Sequence, residues 1–278
     1  MKSISLLAAS LCLLASAARA DWPQFMGSDR SGVSAESVAL ADSFPGGDPK
    51  RVWMVEVGAG LAGPAVSRGK VIVFHRVGDD AVAAALDAAT GKAQWEFRYP
   101  TDYQDSFGFD PGPRAVPTIG ESEVVLWGAE GMVHCLEFET GKLRWKVDAV
   151  AEFGSEQGFF GRACPPLIAG GLVIAEVGGP DATVVAFDRQ TGAVKWKALR
   201  GEAGYAAPVL AKVGGKPTAI FFTRAGFAGV DPASGEVLWD VPFRAQMHAS
   251  VNAAAPATCP ATARFSPPAT RWAARFGR

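Results

Sequence analysis

No C-x-x-C or C-x-x-C-H occurs in the 278 residues, so no attached c-type haem and no zinc ribbon is indicated. Histidine is scarce: His75, His134 and His248 are the three copies, and they form no H-E-x-x-H pair and no nucleophilic-triad spacing. The Gly-rich stretches Val57 to Gly63 and Ala169 to Gly171 lack a following Lys-Ser/Thr, which excludes a phosphate-cradling loop. Net charge is −1, so nothing global directs the chain to nucleic acid or to an anionic membrane. After the N-terminus no apolar run approaches the ~18 residues that a membrane span needs. Long amphipathic helical patterns are missing too, which leans the chain towards all-β.

What is present begins with a targeting signal. Lys2 supplies a positive start, Ile4 to Ala18 is apolar and small, and Ala18-Arg19-Ala20 offers the small-x-small cleavage site of a secretory leader. Residues 1–20 therefore read as a cleavable signal peptide, and the mature chain starts near Asp21, secreted or periplasmic. Cys12 lies inside the apolar stretch behind Leu11, the wrong residue for a lipobox. The mature chain keeps Cys135, Cys164 and Cys259, of which Cys135 and Cys164 are available to pair in an oxidising compartment.

With 32 Gly and 19 Pro the chain is rich in turns, and its internal repetition is plain. Four segments align without gaps: ALDAATGKAQW, CLEFETGKLRW, AFDRQTGAVKW and GVDPASGEVLW. They share an acidic residue (Asp87, Glu137, Asp188, Asp231), a glycine (Gly91, Gly141, Gly192, Gly235) and a tryptophan (Trp95, Trp145, Trp196, Trp239). The tryptophans are 50, 51 and 43 residues apart, and Trp53 lies another 42 upstream. Each block reads as a strand, a hairpin turn and a second strand. The carboxylate and hydroxyl accept turn N–H groups, and Gly takes the positive-φ position. The indole then packs against a neighbouring repeat. The small slot holds Ala85, Cys135, Ala186 and Gly229, which makes Cys135 an alanine substitute rather than a redox group. Upstream of each block, Pro64, Pro117, Pro166 and Pro208 introduce a Gly turn and an apolar strand. Four short strands every 40–50 residues is the pattern of a β-propeller blade.

This block resembles the tryptophan-docking motif of quinoprotein dehydrogenases and other pyrroloquinoline-quinone (PQQ)-like repeat proteins. The segments DWPQFMGSDRSGVS, GFDPGPRAVP, FFGRACPP and HASVNAA look like secreted members from planctomycetes and similar bacteria. The resemblance covers roughly residues 21–256 and implies a propeller of about eight blades, of which this chain supplies four and the start of a fifth. The expected architecture is thus an all-β, partial propeller: a lead-in with a first outer strand over 21–63, and the blades over 64–256. The expected form is an open arc that self-associates through its uncovered end blades unless a partner caps them.

At Ala255-Pro256 a fifth blade begins, but residues 257–278 then carry four Arg, no acidic residue and no strand period. Two readings stay open: a basic disordered tail, or, preferred, a shift of reading frame near Ala257, since GC-rich codons there can encode the missing Gly turn and strand in another frame.

Two long loops, Tyr99 to Arg114 and Asp148 to Pro165, hold the candidate chemistry. They carry Asp105 and Arg114, then Arg162, with Phe107, Phe109, Phe159 and Phe160. Such residues can form a ligand site at the channel mouth; the blander reading is that the loops plug and rim the channel. His248 lies near Arg244, Gln246 and Asn252, where ligand contact is open to it, while His75 and His134 read as satisfied sheet positions. In quinoprotein dehydrogenases the resemblance implies adjacent cysteines, a stacking Trp and a carboxylate-and-amide calcium site. No adjacent cysteine pair exists here, so no cofactor is expected, and PQQ and calcium enter only under an oxidoreductase alternative. The leading expectation is a non-catalytic binding or scaffolding propeller with a protein or small-molecule ligand. The alternatives are a fragment of a quinone-dependent oxidoreductase and a propeller of the outer-membrane β-barrel assembly type.

Overall fold

The computed structural model describes residues 21–34, 36, 42–44 and 46–243. The leader, Cys259, His248, the fifth-blade start and the 257–278 tail lie outside the described residues.

Each repeat folds into one four-stranded antiparallel meander. The first sheet holds β1 (Ala65–Ser67), β2 (Lys70–Val77), β3 (Asp80–Asp87) and β4 (Ala93–Pro100). The second holds β5 (Thr118–Ile119), β6 (Glu123–Trp127), β7 (Met132–Glu137) and β8 (Leu143–Asp148). After α1 (Ala149–Phe153) comes the third, of β9 (Leu167–Ala169), β10 (Leu172–Gly179), β11 (Ala182–Asp188) and β12 (Val194–Ala198). The fourth is β13 (Val209–Val213), β14 (Lys216–Phe222), β15 (Gly226–Val230) and β16 (Val237–Pro242). The helix is an addition to the expected loop: the Asp148 carboxylate caps the N–H groups of Val150 and Ala151, and Gly154 closes the turn at φ 63°.

The middle strands β6 and β15 are buried along their whole length, because a blade has neighbours on both faces. Three cores join the sheets in series. Phe74, Leu126 and Phe138 sit between the first and second, Trp127, Val173 and Phe187 between the second and third, and Ile174, Trp196 and Phe221 between the third and fourth. Among the described residues no core joins the fourth sheet to the first, so the sheets form an open arc of a β-propeller.

The repeated tryptophans are the joints of this arc. Trp95 lies on Gly141 and donates its indole N–H to Phe138 O at 2.9 Å. Trp145 lies on Gly192 and donates to Arg189 O at 3.1 Å; Trp196 lies on Gly235 and donates to Pro232 O at 3.3 Å. Under Trp145 and Trp196 the aspartate of the turn accepts turn amides as its sequence requires, whereas under Trp95 Glu137 accepts from the Thr140 hydroxyl. In the third blade Asp188 Oδ1 accepts from the amides of Gln190 and Thr191, and Gly192 follows at φ 74°. A Cβ on Gly192 would lie 2.8 Å from the Trp145 ring, so the glycine is needed for close approach as well as for backbone sign. A register shift recurs one residue past the small slot in all four blades, at Ala85/Leu86, Cys135/Leu136, Ala186/Phe187 and Gly229/Val230.

The two ends differ from this pattern. Trp53 docks on Gly91 and donates to Ala88 O at 3.0 Å like its counterparts, yet residues 51–58 form no strand. Val52, Met54 and Val57 are exposed there. At the other end, Trp239 folds over Gly229 of its own sheet, and Leu210, Val237 and Val241 are exposed.

Residues 21–32 run along the inner edge of the arc. Trp22 exchanges two backbone hydrogen bonds with Val66 of β1, and Ile119 of β5 donates to Pro23 O at 2.8 Å. Arg30 then reaches across the centre. Its guanidinium donates to Pro165 O, Pro166 O and Pro208 O at 3.4, 2.5 and 2.8 Å, and the residue is buried. One side chain thereby satisfies inner-edge carbonyls of two blades.

Candidate functional site

The loops that join one blade to the next gather on one edge of the arc. Asp105 organises the first. Its Oδ1 accepts from the amides of Phe107 (2.7 Å) and Phe109 (3.2 Å), and its Oδ2 from the Asp110 amide (2.9 Å) and Arg114 Nη2 (2.8 Å). The Asp110 amide most of all, with the Phe107 and Phe109 amides and the Arg114 charge, holds this carboxyl down at about 2. Arg114 also donates to Asp110 O and to the Tyr103 hydroxyl. The loop is closed on itself, so Asp105 and Arg114 are brought together as a structural pair.

That pinning turns two rings outward. Phe107 and Phe109 are 56% and 72% exposed, and their rings stack at 5.6 Å. The second loop adds Phe159 and Phe160, at 6.0 and 5.6 Å from Phe107. Gln157 donates to Gln104 O at 2.8 Å, and the Tyr205 hydroxyl accepts from the Phe159 and Phe160 amides at 3.1 Å. Three inter-blade loops are thus welded into one aromatic platform.

Arg162 is not part of that cluster. It is buried, donates to the Ser155 hydroxyl and carbonyl and to Glu130 O, and clamps the end of α1. Neither histidine of the described residues joins the platform. His75 Nδ1 accepts from the Gly58 amide at 2.9 Å, in line with a satisfied sheet position. His134 departs from that expectation: it is buried, its Nδ1 has no hydrogen-bond partner among the described residues, and its ring lies tilted 4.2 Å from that of Tyr99. Burial, aided by Lys146, lowers its pKa to about 4, so the ring is neutral and packs as an aromatic. Cys135 and Cys164 are both buried and free. Burial pushes the Cys135 thiol up to about 12, which removes thiolate chemistry at neutral pH.

A cavity of about 340 Å³ opens beside the platform, between the third and fourth blades. Glu176 and Cys164 lie in its wall, with Trp127, Phe159, Tyr205, Arg162 and Arg224 around them. Glu176 is buried; the Gly204 amide donates to one oxygen, and the other lies 3.7 Å from Cys164 Sγ, whose nearer acceptor is Ala206 O at 3.0 Å. Burial raises its pKa to about 8, so it holds a proton at neutral pH. The Trp127 indole N–H is buried with no partner among the described residues, an arrangement that costs about 1–3 kcal/mol when nothing fills it. None of Arg30, Trp127 and Glu176 is marked by the repeat. Glu176 interrupts the apolar run LVIAEVGG, and that single break is the signal sequence reading had available.

Among the described residues no group of three or more His, Cys, Asp or Glu is placed to hold a metal, and the docked repeat tryptophans lie on blade turns.

Fold and loop edge together define the class: an arc of a PQQ-like β-propeller, jointed by tryptophan docking. Residues 79–258 match the PQQ_2 family, described as outer membrane protein assembly factor BamB, and the chain belongs to that family. Outer membrane protein assembly factor BamB of Burkholderia pseudomallei is 27% identical over 213 residues, 73% of this chain and 48% of that protein. The dehydrogenase subunit of alcohol dehydrogenase (quinone) from Komagataeibacter europaeus is 31% identical over 121 residues, 41% of this chain and 16% of that protein. The chain therefore spans about half or less of these relatives. Among solved structures, a europium-containing methanol dehydrogenase superposes with a TM-score of 0.51 at 16% identity, covering 65% of this chain and 41% of that one; this similarity is one of fold.

Proposed function

We propose that the chain is an extracytoplasmic propeller arc that works as a binding module, with a protein partner docking on its loop edge. The aromatic platform carries this reading. Phe107 and Phe109 are exposed while Asp105 and Arg114 fix the backbone beneath them. Rigid exposed aromatics are what interface hot spots are made of, because little entropy is lost when they are covered. Kinship to a protein named an assembly factor supports a protein partner, and the secretory reading of residues 1–20 supports a location outside the cytoplasm.

The test is capture from envelope extract by the wild-type chain and by Phe107→Ser/Phe109→Ser. The double variant is expected to fold within ~0.5 kcal/mol of wild type, as surface changes do, and to lose the partner. A Lys92→Gln control on the opposite edge keeps it. Equal capture by all three would end this reading.

A second reading, a fragment of a quinone-dependent oxidoreductase, draws on the similarity to the alcohol dehydrogenase subunit. Titration with PQQ and Ca²⁺, followed by alcohol-dependent dye reduction, separates the two. Turnover that needs both additions would put the oxidoreductase first.

A further inference from the structure

We propose that the cavity between the third and fourth blades binds a small aromatic carboxylate, a role separate from docking on the platform. Its size, about 340 Å³, is at the lower end of ligand pockets and fits a single ring with a carboxylate. The wall is asymmetric in charge. Two guanidiniums, Arg162 and Arg224, belong to buried residues, whereas the acidic Glu156 and Glu202 are exposed at the rim. Arg224 holds Glu202 at 3.3 Å, an ion pair that a competing carboxylate can replace in kind.

Two further polar groups of the lining, Trp127 and Glu176, supply donors. The buried Trp127 N–H has no partner among the described residues, and a buried donor without an acceptor is the exception in folded proteins. Burial keeps the proton on Glu176, so it adds an O–H rather than a negative charge that would repel an anion. Phe159 and Tyr205 give the cavity flat apolar walls. Cation, uncommitted donor and aromatic wall in one enclosure recognise an acceptor-rich anion on a planar body.

The experiment is isothermal titration of the full chain with benzoate and with benzamide, which has the same shape and no charge. Benzoate is expected to bind one to one, at least tenfold more tightly than benzamide. Trp127→Phe removes the N–H together with the five-membered ring, and in the folded fraction is expected to weaken benzoate about five- to tenfold, with a lowered thermal midpoint from the core volume lost. Arg224→Gln is expected to erase the preference for benzoate over benzamide. Phe109→Ser, whose ring stacks on Phe107 and Phe160 rather than on a residue of the cavity wall, leaves benzoate binding intact, which keeps this site distinct from the docking surface. No benzoate binding to folded wild-type chain, equal binding of the two probes, or an unchanged affinity in folded Trp127→Phe would overturn the proposal.

Discussion

The two edges of the arc are made by opposite strategies. On the turn edge one arrangement recurs four times: an acidic residue closes a hairpin, through turn amides at Asp87, Asp188 and Asp231 and through the Thr140 hydroxyl at Glu137, a glycine at positive φ leaves room, and an indole from upstream in the chain covers it. On the loop edge nothing recurs. Asp105 folds its own loop, Arg162 clamps the end of a helix, Tyr205 joins two loops, and Glu176 sits in a cavity. Repetition carries the scaffold, and departures from it carry whatever is specific to this chain. Fold and function can change independently in such a design.

The sharpest way to break this contrast is to remove one joint. Trp145→Ala takes a ring from the core between the second and third blades and is expected to cost ~3–5 kcal/mol in urea unfolding. Trp239→Ala, at the end blade where the ring is only half-buried, should cost about half that or less. Equal losses would mean that docking adds nothing beyond area.

Next comes the centre. Arg30→Met removes a donor from three proline carbonyls of two blades, of which Pro166 O keeps the Thr118 hydroxyl at 2.8 Å, and is expected to cost about 1–3 kcal/mol. The loss should appear first as cleavage of the 21–34 segment in limited proteolysis. An unchanged cleavage pattern would remove Arg30 from the account.

The two buried carboxyls of the loop edge then titrate in opposite senses. Glu176 releases its proton near 4.5 when unfolded and near 8 when folded. Between those values the folded chain binds more protons, so stability is greatest below pH 4.5 and falls as pH rises towards 8, by up to ~1.4 kcal/mol per pH unit. Glu176→Gln should flatten that decline. Asp105 runs the other way: its ionised form is held by amides and Arg114, so its contribution is present above about 3.8 and lost as pH falls towards 2. Denaturation profiles of Glu176→Gln and Asp105→Asn separate the two limbs, and a Glu176→Gln profile parallel to wild type would contradict the buried-proton assignment.

How much of this was legible follows the same division. The blades, their four strands, the capped turns and the docking role of tryptophan could be read because every position had three copies to compare. The pairing of Asp105 with Arg114 was readable as company within one loop, though not as a closed structural pair. Helix α1 escaped because five residues are too few for a periodic pattern, although Asp148 and Gly154 supply both caps. Arg30 escaped because its partners are carbonyls 135 to 178 residues away, which leave no side-chain signature. His134, whose Nδ1 has no hydrogen-bond partner among the described residues, escaped because alternation along a strand shows which way a ring points and nothing about its hydrogen bonds.

The account turns on the indole resting on glycine, and a double-mutant cycle between Trp145 and Gly192 tests it most directly. Gly192→Ala alone meets both the ring and a backbone at φ 74°. In the Trp145→Ala background only the backbone penalty remains, so the two changes should couple by about 1–3 kcal/mol. Additivity within ~0.5 kcal/mol would show that ring and glycine do not meet, and the jointed arc would have to be abandoned.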